Sequence, residues 1–265
     1  MAARAIWKGV IRVGKSELPV KLFSAVQDRS IHFRLLHKTD LAPVKQRMID
    51  PEIEDPVEYA DAKKAFAVSR SSMVVLEGDE LETLEPEPSR DVEITRFVDD
   101  AAIDHRWYER AYYLGPDGSS QKYFALASAL EKRGKEGVAK WVMRGKSHVG
   151  ALRAVDGYLM LIALRHADEI VDAEALQAPT GRALDARELA MAEQLVEALS
   201  GTFDAAAFRD EYRDRVMELV ELKSKGQKPK VAKFRPRKAS DEGLDKVLAA
   251  SVKAVEKRRA AGASR

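Results

Sequence analysis

Ala5-Ile6-Trp7-Lys8-Gly9-Val10-Ile11-Arg12-Val13, then Gly14-Lys15-Ser16-Glu17, then Leu18-Pro19-Val20-Lys21-Leu22-Phe23 is the stretch that decides how this chain reads. Ala5, Trp7, Gly9, Ile11 and Val13 alternate with Ile6, Lys8, Val10 and Arg12. A period of two sends successive side chains to opposite faces of a strand. The Gly14–Glu17 segment is a turn, and Leu18, Val20 and Leu22 then alternate with Lys21 and Phe23. The chain therefore opens on a β-hairpin with one apolar face.

Working outward, a short strand is expected at Ile31–Leu36 and a buried one at Ser72–Leu76. Between them, residues 38–66 are polar and carry Pro43, Pro51 and Pro56, which oppose a central strand or a continuous helix. They read as an excursion from the core. A short acidic helix at Asp79–Leu84 ends before Pro86, and a strand follows at Asp91–Val98, where Val92, Ile94 and Phe97 stand among charges. Tyr112-Tyr113-Leu114 leads into the turn Gly115-Pro116-Asp117-Gly118. Tyr123–Arg133 is a helix by the spacing of Tyr123, Leu126, Ala127 and Leu130, with Gly134 as its stop.

A second β block follows. Ala139, Trp141 and Met143 alternate with Lys140, Val142 and Arg144, and Val149–Val155 is joined to Tyr158–Arg165 by Asp156-Gly157. That dipeptide is a two-residue hairpin signal. Two antiparallel groups around one helix predict a mixed α+β fold with a barrel-like β core. Beyond it the sequence is helical. Ala186–Leu199 aligns Leu189, Ala192, Val196 and Leu199 and stops at Gly201. Asp204 is the expected N-cap of a second helix bearing Phe208, Tyr212, Val216, Leu219 and Val220. These helices either pack on the core or project toward another subunit.

The formal net charge of +2 hides an asymmetry. Of 45 Lys/Arg and 43 Asp/Glu, residues 223–265 hold 14 and 4, leaving 31 and 39 for residues 1–222. An acidic body with a basic tail points to a polyanionic partner, chiefly nucleic acid, against the plainer reading of a solubilising tail. Lys223–Lys238 has eight basic residues, no acidic ones, and Gly226, Pro229 and Pro236, so it is expected to be disordered in isolation. A short helix over 240–259 would align Leu244, Val247, Leu248 and Val255 as a stripe for a partner groove or the core. With no cysteine, disulfides, thiolate metal sites and cysteine nucleophiles are excluded. No apolar run is long enough to span a bilayer, and residues 1–8 lack a signal-peptide core, so no export is expected.

Several blocks together resemble bacterial Ku. They are the opening hairpin through Ser24-Ala25, Ile31-His32-Phe33-Arg34-Leu35-Leu36-His37-Lys38, and the run from Val74 to Glu85. Phe97-Val98-Asp99, Ile103-Asp104 and Tyr112–Asp117 follow, then Arg144–His148 with Ala151-Leu152-Arg153, and His166–Ile170. Gly201–Asp204 with Asp210–Arg213 closes the series. No block is diagnostic alone; their order from residue 5 to about 226 carries the resemblance. This chain lacks the cysteine pair that many relatives carry in the excursion, and residues 45–66 depart from the pattern.

The resemblance implies a Ku-like β-barrel core over residues 1–180, whose 38–66 excursion forms a DNA-encircling ring in a homodimer. It implies a helical C-terminal arm over 181–222, and the basic tail is then 223–265. The implied role is sequence-independent binding of double-stranded DNA ends in repair by non-homologous end joining, with recruitment of an ATP-dependent DNA repair ligase. The protein is expected to be no enzyme, to need no cofactor or metal, and to lie in the cytoplasm on the nucleoid, away from membranes. The alternative is a general nucleoid or nucleic-acid binder acting through its tail.

A binder indifferent to sequence has to contact phosphates, which suits Arg and Lys. The core candidates are Lys8, Arg12, Lys21, Arg34, His37, Lys38, Lys45, Arg47, Arg144, Lys146 and Arg153, each weighed against an ordinary solvated charge. The tail candidates are Lys223, Lys225, Lys228, Lys230, Lys233, Arg235, Arg237 and Lys238. His32, His37, His105, His148 and His166 lack metal-ligand spacing, and hydrogen-bonded structural roles are expected of His37 and His148. Asp99, Asp100 and Asp104 are the one arrangement suggestive of metal-dependent nuclease chemistry, against a solvated acidic loop. No phosphate-binding glycine loop or serine elbow is present. Trp7, Trp107, Trp141, Tyr112 and Tyr113 read as core or interface anchors rather than stacking platforms for bases.

Overall fold

The computed structural model describes residues 4–176 and 185–227. The chain divides into two units, Met1–Ala175 and Leu176–Arg265.

The first unit is a closed seven-stranded barrel with one long excursion. Its strands are β1 (Trp7–Val13), β2 (Ser16–Ser24), β7 (Asp91–Asp99), β8 (Tyr108–Pro116), β9 (Lys135–Met143), β10 (Lys146–Val155) and β11 (Tyr158–Leu164). Around the barrel they run β1-β2-β8-β11-β10-β9-β7. All neighbours are antiparallel except β7 and β1, whose parallel pairing of Val10 with Asp91 and Arg12 with Glu93 closes the cylinder. Closure leaves the barrel no free edge.

The opening alternation translates directly into burial. In β1 and β2, Gly9, Ile11, Leu18, Val20 and Leu22 are buried, while Lys8, Arg12 and Glu17 are exposed. Pro19, which has no N–H to donate, lies beyond the last β2–β8 pair, Val20 with Pro116. The interior is filled by Ile11, Leu22, Val92, Leu114, Trp141, Leu152, Leu159 and Leu161. Helix α2 (Ser120–Arg133) adds Tyr123, Ala127 and Leu130 to this core and lies against β9, β10 and β11. The Tyr123 hydroxyl donates to the Leu114 carbonyl (2.5 Å) and accepts from the Leu159 N–H (2.8 Å), which ties the helix to two strands. Ser119 caps α2, and Gly134 ends it in the left-handed conformation.

The excursion leaves after β2 and returns at β7. It holds two small hairpins, β3 (Met48–Ile49) with β4 (Pro56–Val57) and β5 (Lys64–Ser69) with β6 (Ser72–Leu76), then α1 (Gly78–Thr83). None of residues 26–76 is buried. Two expectations are corrected here. Ile31–Leu36 is no strand: its single bridge pairs Leu36 with Pro43, and Pro43 has no N–H with which to build a ladder. Ser72–Leu76 is a strand, but an exposed one, because among the described residues β5 is its only strand neighbour.

In the second unit, α3 (Ala186–Leu199) opens on a capping box in which Asp185 and Glu188 each accept the other's backbone N–H. Its C-cap is Ser200 rather than Gly201. Asp204 was the expected cap of the next helix, yet it caps a single turn at residues 205–207. Helix α4 (Glu211–Ser224) begins at Asp210, where Glu211 and Asp214 place negative charge in the first turn. Phe208 falls outside the helix and stacks on Phe203 at 5.2 Å.

Candidate nucleic-acid interface

Every basic residue singled out on the core belongs to the first unit, and the structure sorts those residues by what neutralises them. Lys8 and Lys21 are cross-strand partners on β1 and β2. Both reach Asp117, just after β8, at 3.1 and 2.7 Å. Those two hydrogen bonds hold the Asp117 carboxyl below its usual range. Arg12 bonds Glu17, its partner across the hairpin, and Asp91 on β7 at 2.8 Å. Asp91 raises its pKa further above the usual guanidinium value.

Arg153 on β10 meets Glu136 on β9, a carboxylate with no exposed surface. The Tyr108 hydroxyl donates to the same carboxylate at 2.8 Å, and the Arg153 guanidinium lies 5.6 Å from the Tyr108 ring centroid. Burial, then the hydrogen bond to Glu136, push the Tyr108 pKa from 10.0 to about 12. A buried acid survives here because a cation and a hydroxyl both satisfy it.

The excursion is different. Arg34, Lys38, Lys45 and Arg47 are exposed and have no ion-pair or hydrogen-bond partner among the described residues. His37 is engaged through its Nδ1, 2.8 Å from Asp40. Asp40 also accepts the Ala42 N–H, and these contacts, the backbone bond first, lower its pKa. Arg144 and Lys146 flank the β9–β10 turn, both exposed, while the Glu85 carboxylate stands against Gly145 between them. In the second unit, Lys223 lies in the last turn of α4 and Lys225 pairs with Glu221 at 2.5 Å. Lys228, Lys230, Lys233, Arg235, Arg237 and Lys238, and the helix expected over 240–259, lie outside the described residues.

The acidic trio does not assemble. Asp99 pairs with Lys135 at 2.5 Å, and Asp104 binds the N–H and side chain of Arg106. No cluster of three potential metal ligands occurs among the described residues. Sequence reading missed Asp117 and Glu136. Asp117 read only as part of a turn. Glu136 gave no signal, because nothing local marks a carboxylate that a distant arginine will meet.

The chain from residue 12 to 191 matches the family model described as the Ku70/Ku80 beta-barrel domain. It is 35% identical over 257 residues to non-homologous end joining protein Ku 2 of Geotalea uraniireducens (strain Rf4), covering 97% of this chain and 99% of that one. It is 38% identical to the non-homologous end joining protein Ku of Anaeromyxobacter sp. (strain K), covering 97% and 87%. The protein of that name from Archaeoglobus fulgidus is 32% identical, covering 84% and 89%.

Proposed function

The chain belongs to the Ku family, and on that premise we propose that it binds ends of double-stranded DNA, independently of sequence, in non-homologous end joining. It acts without catalysis, as a ring-shaped homodimer that a duplex enters by its tip. It holds the end for an ATP-dependent DNA repair ligase, and it works in the cytoplasm on the nucleoid. No described helix is long and apolar enough to cross a membrane.

The observation that carries the ring is the excursion. Between residues 26 and 76 it buries nothing and exposes Phe33, Leu35, Ile53, Phe66 and Met73 to about two-thirds or more of their surface. A lone two-stranded ribbon such as β5–β6 is marginal in water, and contiguous exposed apolar surface marks an interface. A second copy covers it by symmetry, since a two-fold contact uses the same patch on both partners.

The test compares linear duplex with relaxed, covalently closed circles of the same sequence. Threading predicts stable binding to the linear form and short-lived binding to the circle; equal lifetimes on both would overturn it. Removing residues 228–265 separates the ring from a tail-only binder. Retained end preference upholds the ring, and its loss favours the general nucleic-acid binder. Stimulation of end joining by the cognate ligase checks the partner.

A further inference from the structure

We infer that the parallel seam between β1 and β7 is the barrel's point of give, latched by Arg12, and that the two roots of the excursion spread there when a duplex fills the ring. The spreading rests on the ring proposed above; the weakness of the seam does not.

The inference starts from how the cylinder is joined. β1 and β2 pair at seven positions, from Trp7 with Leu22 to Val13 with Ser16, and β9–β10 and β10–β11 also pair at seven. β1 and β7 pair at three: Val10 with Asp91, Ile11 with Val92 and Arg12 with Glu93. This is also the one parallel joint of the barrel, and parallel pairing holds slightly less per residue. Neither end of the seam extends. Beyond Glu93, β7 has no further pair on β1, and between Ile94 and Arg96 its register shifts against β9. Before Asp91 stand Pro86 and Pro88, which have no N–H to add. Val10 depends on this seam. Its N–H donates to the Arg90 carbonyl at 2.8 Å, and Pro19, its partner on β2, has no N–H to offer it.

Side chains latch the seam at one point. The Arg12 Nε meets the Asp91 Oδ2 at 2.8 Å, reaching back past its own register partner Glu93. Among the described residues this is the one ion pair across the seam. The two side chains keep 44% and 42% of their surface in solvent, which makes the latch a weak one. Ile11 and Val92 are buried opposite each other, so the seam is shut at rest and parts only transiently. Its position gives that parting a consequence. The excursion leaves from β2 at Ser24 and returns at Asp91 on β7, and β1 lies between those two strands. A load that separates the roots acts on β2, β1 and β7 in series. The β1–β2 side is a covalent hairpin with seven pairs, so the three-pair seam yields first.

Amide hydrogen exchange of the full-length protein, read residue by residue, tests the seam. In the wild type, Val10 should be less protected than Gly9 and Ile11, which pair with Val20 and Leu18 of β2. Asp91→Ala removes the latch and spares the bond between Arg12 and Glu17. It should speed exchange at Val10 about two- to fivefold and leave Gly9 and Ile11 unchanged. Equal protection along β1 in the wild type overturns the seam, as does equal acceleration of all three amides in the variant. Should Asp91→Ala fail to fold, the wild-type pattern decides alone. Linear duplex should lower protection at Val10 further while sparing Gly9 and Ile11; unchanged or higher protection at Val10 overturns the spreading. The chain has no cysteine, so Val10→Cys with Asp91→Cys places a single disulfide between register partners across the seam. Oxidised, this variant should associate with linear duplex more slowly than after reduction, and equal rates deny the seam a part in the ring. Failure of the wild type to bind linear duplex defeats the ring itself, and the protection pattern along β1 still decides the seam.

Discussion

Glu136 shows at the scale of one residue what a buried charge demands. It is wholly buried, while Arg153 keeps about a third of its side chain in solvent. The two ends of the pair therefore fail unequally. Arg153→Met leaves the carboxylate sealed with only the Tyr108 hydroxyl, and should cost about 3–5 kcal/mol in urea unfolding. Glu136→Gln leaves a cation that can turn to water, and should cost less, about 2 kcal/mol. Equal losses, or a larger loss for Glu136→Gln, would refute this asymmetry. Tyr108 adds a pH signature. Its pKa is raised by burial and by Glu136, so the folded state holds the phenolic proton after the unfolded state has lost it. Stability from this source is complete below pH 10.0, is lost as pH rises through about 12, and leaves neutral pH unaffected. Tyr108→Phe should flatten the decline of stability across that alkaline window relative to the wild type. An identical decline in both proteins would remove Tyr108 from the account.

At the scale of the element, the barrel strands followed from local chemistry. Asp156 and Gly157 adopt φ values of 52° and 78°, the left-handed pair a two-residue hairpin turn requires, and β10 meets β11 in the register that turn sets. Gly157→Ala has open space for its methyl group, so its penalty is conformational and should be about 1 kcal/mol. Gly150→Ala is a different test, because its Cβ would lie 2.6 Å from both the Ile162 carbonyl oxygen and the Trp141 ring. Since Trp141 stacks on His148 at 5.1 Å within the same wall, it has little room to move, and the loss should be clearly larger. Comparing the two unfolding midpoints checks both. Elements outside the barrel were less legible. Ile31–Leu36 has the composition of a strand but finds only the Leu36–Pro43 bridge, because pairing rather than propensity makes a strand. Asp204 and Asp210 are equivalent caps by type, and the helix takes the second, where two further acids fall in its first turn.

At the scale of the whole molecule, the exposed ribbon is what a dimer should consume. Phe66 and Val74 are register partners on β5 and β6, outside the barrel sheet and both exposed. Phe66→Arg with Val74→Arg should give monomers by sedimentation at micromolar concentration while leaving the urea midpoint of the barrel unchanged; an intact dimer would show that the ribbon is not the interface. The family was legible in sequence because its blocks keep their order along the chain, and the barrel was legible because period-two burial and turn residues are local properties. The site was only half legible. Sequence named basic residues from Lys8 to Arg153 as candidates, but not which of them meet a carboxylate in the fold. That depended on Asp117 reaching back across to β1 and β2, and on Glu136 meeting Arg153 from the neighbouring strand. It likewise left Ser72–Leu76 reading as buried when it is exposed. Alternation and turn chemistry act between neighbours in the chain, so the amino-acid order alone marks out the barrel hairpins. Ion pairing and burial act through space over a few ångströms, so only the closed barrel could decide which charges remain free.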